Sequence, residues 1–176
     1  THHGEDETRR AGYLYLVMAG FGTMVLLLAF GLMAGSQGGY DFATVRAATR
    51  SPGLTALILA LMLVGAGSKA GLVPLHVWLP VAHPAAPSHV SALMSGVMTK
   101  VALYGFVRVA FDLLGPIDPW MSIPVIVIGA VTAVMGILFA NIDGDSKRVL
   151  AYSTIENIGV IFVALGLALA FRANGM

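Results

Sequence analysis

The chain has 176 residues, of which 57% are apolar and 11% charged. Soluble domains carry about 25% charged residues, so this composition points to an integral membrane protein, all-α, lying in a lipid bilayer. A net charge of +1 with no basic stripe excludes nucleic acid as a partner. The absence of cysteine excludes a disulfide framework, a thiolate metal site and a Cys-held iron–sulfur cluster within this chain.

Residues 1–12 hold Glu5, Asp6, Glu7, Arg9 and Arg10 and read as a solvated loop. There is no initiator Met and no signal peptide with a charged start and a small-residue cleavage site. These ends suggest the middle of a longer protein. The first span is expected over 13–34, long enough for the ~30 Å hydrocarbon layer, with Ala19, Gly20 and Gly22 suited to close helix contact. The stretch 35–53 reads as a loop with turn formers Gly38, Gly39 and Pro52, in which DFATVRAA forms a short interfacial helix.

The second span is expected over 54–79, broken near Pro74, which removes a backbone donor and clashes with the turn before it. Pro80, Pro84 and Pro87 follow, so 74–87 is not one regular helix. Non-helical backbone at membrane depth survives only when buried in protein or lining a wet cavity. A third span runs over 88–114, with Ser88 as its expected N-cap. Turns at Gly115-Pro116 and Asp118-Pro119 lead to spans over 120–140 and 149–171, joined by NIDGDSKR. The whole chain, 1–176, thus reads as a single membrane domain of about five helices, one of them broken. Basic residues are nearly balanced between the two sides. The side with Arg9 and Lys147 is assigned to the cytoplasm by the positive-inside rule.

Charges inside such spans are expensive and by default mark an ion or proton path. Lys69 lies 15 residues past Leu54, roughly 22 Å into its span at 1.5 Å per residue. Lys100 lies 12 residues into the third span, about 18 Å from either end. His89, Gly96, Lys100 and Tyr104 recur at helical spacing, and Arg108 extends the same stripe. That stripe is expected to face the bundle interior or a wet cavity. Burial lowers a lysine's pKa and lets it exchange a proton near neutrality. His76, His83 and His89 titrate in the right range to bridge the lysines, although each alone is commonly a hydrogen-bonded structural residue. Glu156 lies well inside the fifth span, near Tyr152, Ser153 and Asn157, as a proton carrier, a lysine partner or a packing carboxylate. Asp143, Asp145, Lys147 and Arg148 read as a solvated turn. The histidine spacing fits no metal motif, and neither a phosphate-cradling loop nor a dinucleotide fingerprint is present. No catalytic residue, cofactor-binding residue or metal ligand is assigned.

Lys69, Pro74, His76, Trp78 to Pro80, His83, Ala86-Pro87, Ser91 to Leu93, Lys100, Tyr104-Gly105 and Arg108 form one long pattern. It resembles the core of the antiporter-like membrane subunits shared by respiratory complex I, multisubunit cation/proton antiporters and membrane-bound hydrogenases. The later DGDSKRVLAYSTIENIG resembles that family's loop and following helix. ETRRAGYLYLVMAGFGT and AYSTIENIG are most similar to its hydrogenase-4 and formate hydrogenlyase branch. In complex I subunits the segment matching Glu156-Asn157 usually ends in a histidine before the glycine. Here Asn157 stands there, which favours the hydrogenase branch and leaves this helix without that histidine, with Glu156 beside it as a candidate substitute.

The resemblance implies a fold of about 14 helices in two inverted repeats, of which this chain corresponds to helices 6 to 10. It maps the family's broken-helix lysine onto Lys69 and its next-helix lysine onto Lys100. It implies proton translocation without a redox centre or cofactor in this chain. The implied partners are other membrane and peripheral subunits of an oxidoreductase complex, whose metal chemistry would drive the charge changes here. Whether the chain counts as part of an enzyme depends on those partners. The rival readings are a complex I (NADH-quinone oxidoreductase) subunit, a multisubunit cation/proton antiporter subunit, and a membrane anchor that does not pump.

Overall fold

The computed structural model describes residues 2–35 and 39–175, with the side chains of 2–5 left aside. Gly38 and the two terminal residues lie outside the described residues. No strand occurs among the described residues. Five helical stretches are long and apolar enough to cross a membrane: Asp6–Ala34, Pro52–Ala85, Ser88–Leu113, Pro119–Ile142 and Ser146–Ala173.

Helix α1 (His2–Ala34) begins a full three turns before the apolar run. The polar opening is therefore helix, not the expected loop. Arg9 pairs with Asp6 one turn earlier at 3.0 Å, and Ala11 is already packed into the protein. The short helix α2 (Phe42–Ala47) is capped by Asp41, whose carboxylate accepts from the Thr44 amide. Helix α3 (Pro52–Ala70) has two start signals at once. Pro52 occupies the first turn, where its missing N–H costs nothing, and the Ser51 hydroxyl accepts from the Leu54 amide.

α3 stops at Gly71, which adopts φ 92, a left-handed conformation that side chains disfavour. The amides of Gly71 and Leu72 both return to the Gly67 carbonyl at 2.8 Å. A 3₁₀ turn (Leu75–Trp78) and helix α4 (Leu79–Ala85) complete this interrupted span. Ser88 is the first residue of helix α5 (Ser88–Leu93), not its cap, and no side chain caps that end. The span continues as a π-helical turn (Met94–Met98), helix α6 (Thr99–Val107) and a second π-helical stretch (Arg108–Leu113). Helices α7 (Ser122–Ile142) and α8 (Ser146–Ala173) form a tight hairpin.

Two apolar clusters hold the helices together. The larger one joins α1, α3, α6, α7 and α8 through Ile58, Met62, Phe106, Val125 and Phe162. The smaller joins the interrupted segment to α8, through Trp78, Leu79, Ala82, Ala151 and Ile155. α1 and α3 meet at glycines: a Cβ on Gly22 would stand 3.2 Å from the Gly65 carbonyl oxygen. Small residues allow such backbone approach where lipid supplies no hydrophobic drive between helices.

Candidate functional site

Lys69 sits in the last turn of α3, half-buried, and its ammonium donates to the Ala19 carbonyl of α1 at 3.5 Å. Beside it, Ser68 donates to the Met18 carbonyl at 3.1 Å. The indole N–H of Trp78 donates back to the Ser68 carbonyl at 2.8 Å. In the last turn of α3 the Gly67 and Ser68 carbonyls and the Ser68 and Lys69 side chains are thus taken up by α1 and by the turn that follows. A cavity of about 340 Å³ opens in front of the lysine. Leu26 and Phe30 line it from α1, Met62 and Ala66 from α3, and Met98, Val101, Ala102 and Gly105 from the next span.

Lys100 belongs to that next span, but its ammonium does not enter the cavity. It folds back onto the Ser95 carbonyl at 2.5 Å and is exposed on the outside of the five-helix body. His89 is exposed too, and Tyr104 is 64% exposed. His89, Lys100 and Tyr104 thus lie together on an exposed face of these five helices.

Arg108 leaves the stripe altogether. Its guanidinium pairs with Asp112 at 3.2 Å and lies over the Phe42 ring at 5.1 Å. Asp112 also receives two bonds from Arg46, at 2.5 and 2.7 Å. This group fastens α2 to the end of the third span. Arg50 sits nearby and ties four carbonyls together, those of Met33, Val45, Ala48 and Leu113.

Of the histidines, His83 is buried and its Nδ1 shares a short hydrogen bond with the Ser91 hydroxyl. Its Nε2 is buried with no hydrogen-bond partner among the described residues, as is Nδ1 of His76. The structure thus joins His83 to Ser91, across the Pro84–Pro87 turn, and brings neither histidine into hydrogen-bond contact with a lysine. Glu156 is half-buried on α8 and makes no hydrogen bond or ion pair among the described residues. The neighbouring Asn157 amide bonds to the Ser153 carbonyl instead.

Two residues at this site escaped the sequence reading. Thr132, fully buried on α7, accepts the amide of Val73 at 3.0 Å, at the break itself. Lys147, expected in a solvated turn, reaches across to the carbonyls of Ala86 at 3.1 Å and Pro84 at 3.4 Å. No signal in the sequence marks Thr132, because one threonine in an apolar helix is commonplace. Lys147 lay within the longer family pattern, but only the fold shows its reach. No group of three or more His, Asp or Glu residues suited to a metal ion occurs among the described residues.

A family model described as "NADH:quinone oxidoreductase/Mrp antiporter, TM" matches residues 2–174. The chain belongs to this family. It is 48% identical over 168 residues to hydrogenase-4 component B of Escherichia coli K12, which covers 94% of this chain and 25% of that protein. It is 35% identical over 158 residues to formate hydrogenlyase subunit 3 of the same organism, covering 89% of this chain and 26% of that protein. Among solved structures, the Mrp complex from Dietzia sp. DQ12-45-1b superposes with a TM-score of 0.79 at 29% identity, over 90% of this chain and 29% of that one. The chain spans about a quarter of the length of these curated relatives. It is an integral membrane segment of the antiporter-like type.

Proposed function

We propose that this chain carries the central part of a proton-translocating path in a subunit of a hydrogenase-4 or formate hydrogenlyase type complex. The observation that carries the reading is Lys69, half-buried at the end of an interrupted helix and facing the 340 Å³ cavity. Val101 and Ala102, which flank Lys100 in sequence, line the opposite wall. Lys69 is the charged group on that cavity and the one that exchanges a proton across it. Lys100 takes the proton on the far side of the same helix wall, near Tyr104. His76 and His83, each with a buried ring nitrogen that has no hydrogen-bond partner among the described residues, and His89 connect the interrupted segment to bulk water. Glu156 is the carboxylate carrier on α8. Arg108 serves the path by holding the end of the third span, through Asp112.

The chemistry driving these charge changes belongs to partner subunits, both membrane and peripheral. Names such as "component B" and "subunit 3" support that assembly for the relatives. The test is proton uptake by vesicles containing the reconstituted complex. Lys69→Ala and Lys100→Ala each abolish uptake while the complex still assembles. Unchanged uptake would refute the path. Hydrogen turnover with no gradient in the unmutated complex would identify a membrane anchor, and sodium-dependent uptake without a hydrogenase partner would identify a cation/proton antiporter.

A further inference from the structure

The interrupted segment, from Gly71 to Pro87, leaves the helical ladder that normally satisfies backbone groups in lipid at 71–74 and again at 86–87. An unpaired amide there is costly. Two side chains of the α7–α8 hairpin meet this need, one at each end of the segment. At the first end, the Thr132 hydroxyl donates its own proton to the Ile128 carbonyl at 2.7 Å. Its lone pairs are then left to accept, and the Val73 amide donates to them at 3.0 Å. A hydroxyl committed in both directions has a fixed rotor, so it sets the position of Val73 directly. At the second end, the Lys147 ammonium binds the carbonyls of Pro84 and Ala86. These lie in the closing turn of α4, where a cation complements the exposed carbonyls. Between the two anchors, Leu79 and Ala82 pack with Ala151 and Ile155 of α8.

We infer that Thr132 and Lys147 are positioning residues, which hang the interrupted segment between two fixed points of one hairpin and so fix Lys69 and His83 at its two ends. Lys69 stands four residues before Val73, and His83 one residue before Pro84. Thr132 acts through backbone alone, whereas Lys147 holds backbone carbonyls and also places its charge near the His83 ring. The inference rests on that reading for its functional consequence, but its structural half stands alone.

The test uses the intact complex with two substitutions at each anchor. Thr132→Val keeps shape and removes the acceptor, while Thr132→Ser keeps the acceptor. Lys147→Gln removes the charge, and Lys147→Arg keeps it. Hydrogen–deuterium exchange over Gly71–Leu79 rises roughly tenfold in Thr132→Val, as expected when a buried amide loses its partner, and returns to the original rate in Thr132→Ser. Exchange around Ala85–Ala86 rises in Lys147→Gln and not in Lys147→Arg. Proton uptake falls severalfold in the two disruptive variants, with a shifted pH profile, and recovers in the conservative ones. Unchanged exchange in Thr132→Val, or faster exchange with unaltered uptake, overturns the inference. If Thr132→Val does not assemble, Lys147→Gln decides: unchanged exchange around Ala85–Ala86 overturns it. Lys69→Ala run alongside separates the two ideas, because unaltered uptake there refutes the path while the exchange data still judge the anchors.

Discussion

Gly136 of α7 lies directly against Glu156 of α8: a Cβ on this glycine would stand 2.6 Å from the Glu156 amide nitrogen and 2.8 Å from its Cα. The candidate carboxylate is therefore held where two helix backbones touch, with no room for a single methyl group. Gly129 and Gly166 extend the same seam, where an added Cβ would meet Val163 at 2.8 Å and the Ile126 amide nitrogen at 3.0 Å. Gly136→Ala forces the hairpin apart, at about 1–3 kcal/mol for an overpacked contact. The expected outcome is a lower midpoint of thermal unfolding for the complex in detergent. Gly144→Ala, at a position with open space around it, is the control and leaves the midpoint in place.

Trp78 links the interrupted segment to the end of α3. It is 3% exposed and donates to the Ser68 carbonyl. Trp78→Phe keeps an aromatic ring and removes the donor. The expected loss is about 1 kcal/mol for the hydrogen bond, with a further contribution from the space the smaller ring leaves. Thermal unfolding measures the loss. Amide exchange over Leu75–Leu79 reports whether the segment has loosened.

The cap of α2 predicts a pH dependence at the membrane surface. The Thr44 hydroxyl, and then its amide, hold the Asp41 carboxyl below its ordinary value of 3.8. A depressed carboxylate stabilises the fold above its unfolded value, and that contribution is lost as pH falls through the folded value. Amide exchange over 42–47, corrected for intrinsic rates, therefore accelerates only below about pH 4. Asp41→Asn keeps a good cap and removes this acid dependence.

Asp112 is the shared partner of Arg46 and Arg108. Asp112→Ala leaves two like charges facing one another and releases α2 from the third span. Proteolytic cleavage between residues 39 and 50 is expected to rise severalfold in membranes, with Lys69→Ala showing no such change. Equal cleavage in Asp112→Ala and the unmutated protein would show that α2 is held by other contacts.

The helical class, the membrane location and the family were legible in the sequence because each rests on long patterns: apolar runs of membrane length and a motif that spans two helices. The interruption after Lys69 was legible because Pro74 leaves the backbone few options. What the sequence hid was whatever depends on one extra residue of winding or on a contact distant along the chain. The π-helical turn at Met94–Met98 leaves no compositional mark. The bond from Val73 to Thr132 joins residues far apart in sequence. Lys147 looked solvated because the stretch around it, Asp143 to Arg148, is rich in charge. They do serve the turn, Asp143 accepting the Asp145 amide and Asp145 capping α8, while the lysine stem reaches elsewhere.

Lys100 projects from the outer wall of these five helices with a single carbonyl for company. Hydrocarbon is a poor surrounding for an ammonium group, so the face bearing Lys100 and Tyr104 is the part of these five helices least suited to contact with acyl chains.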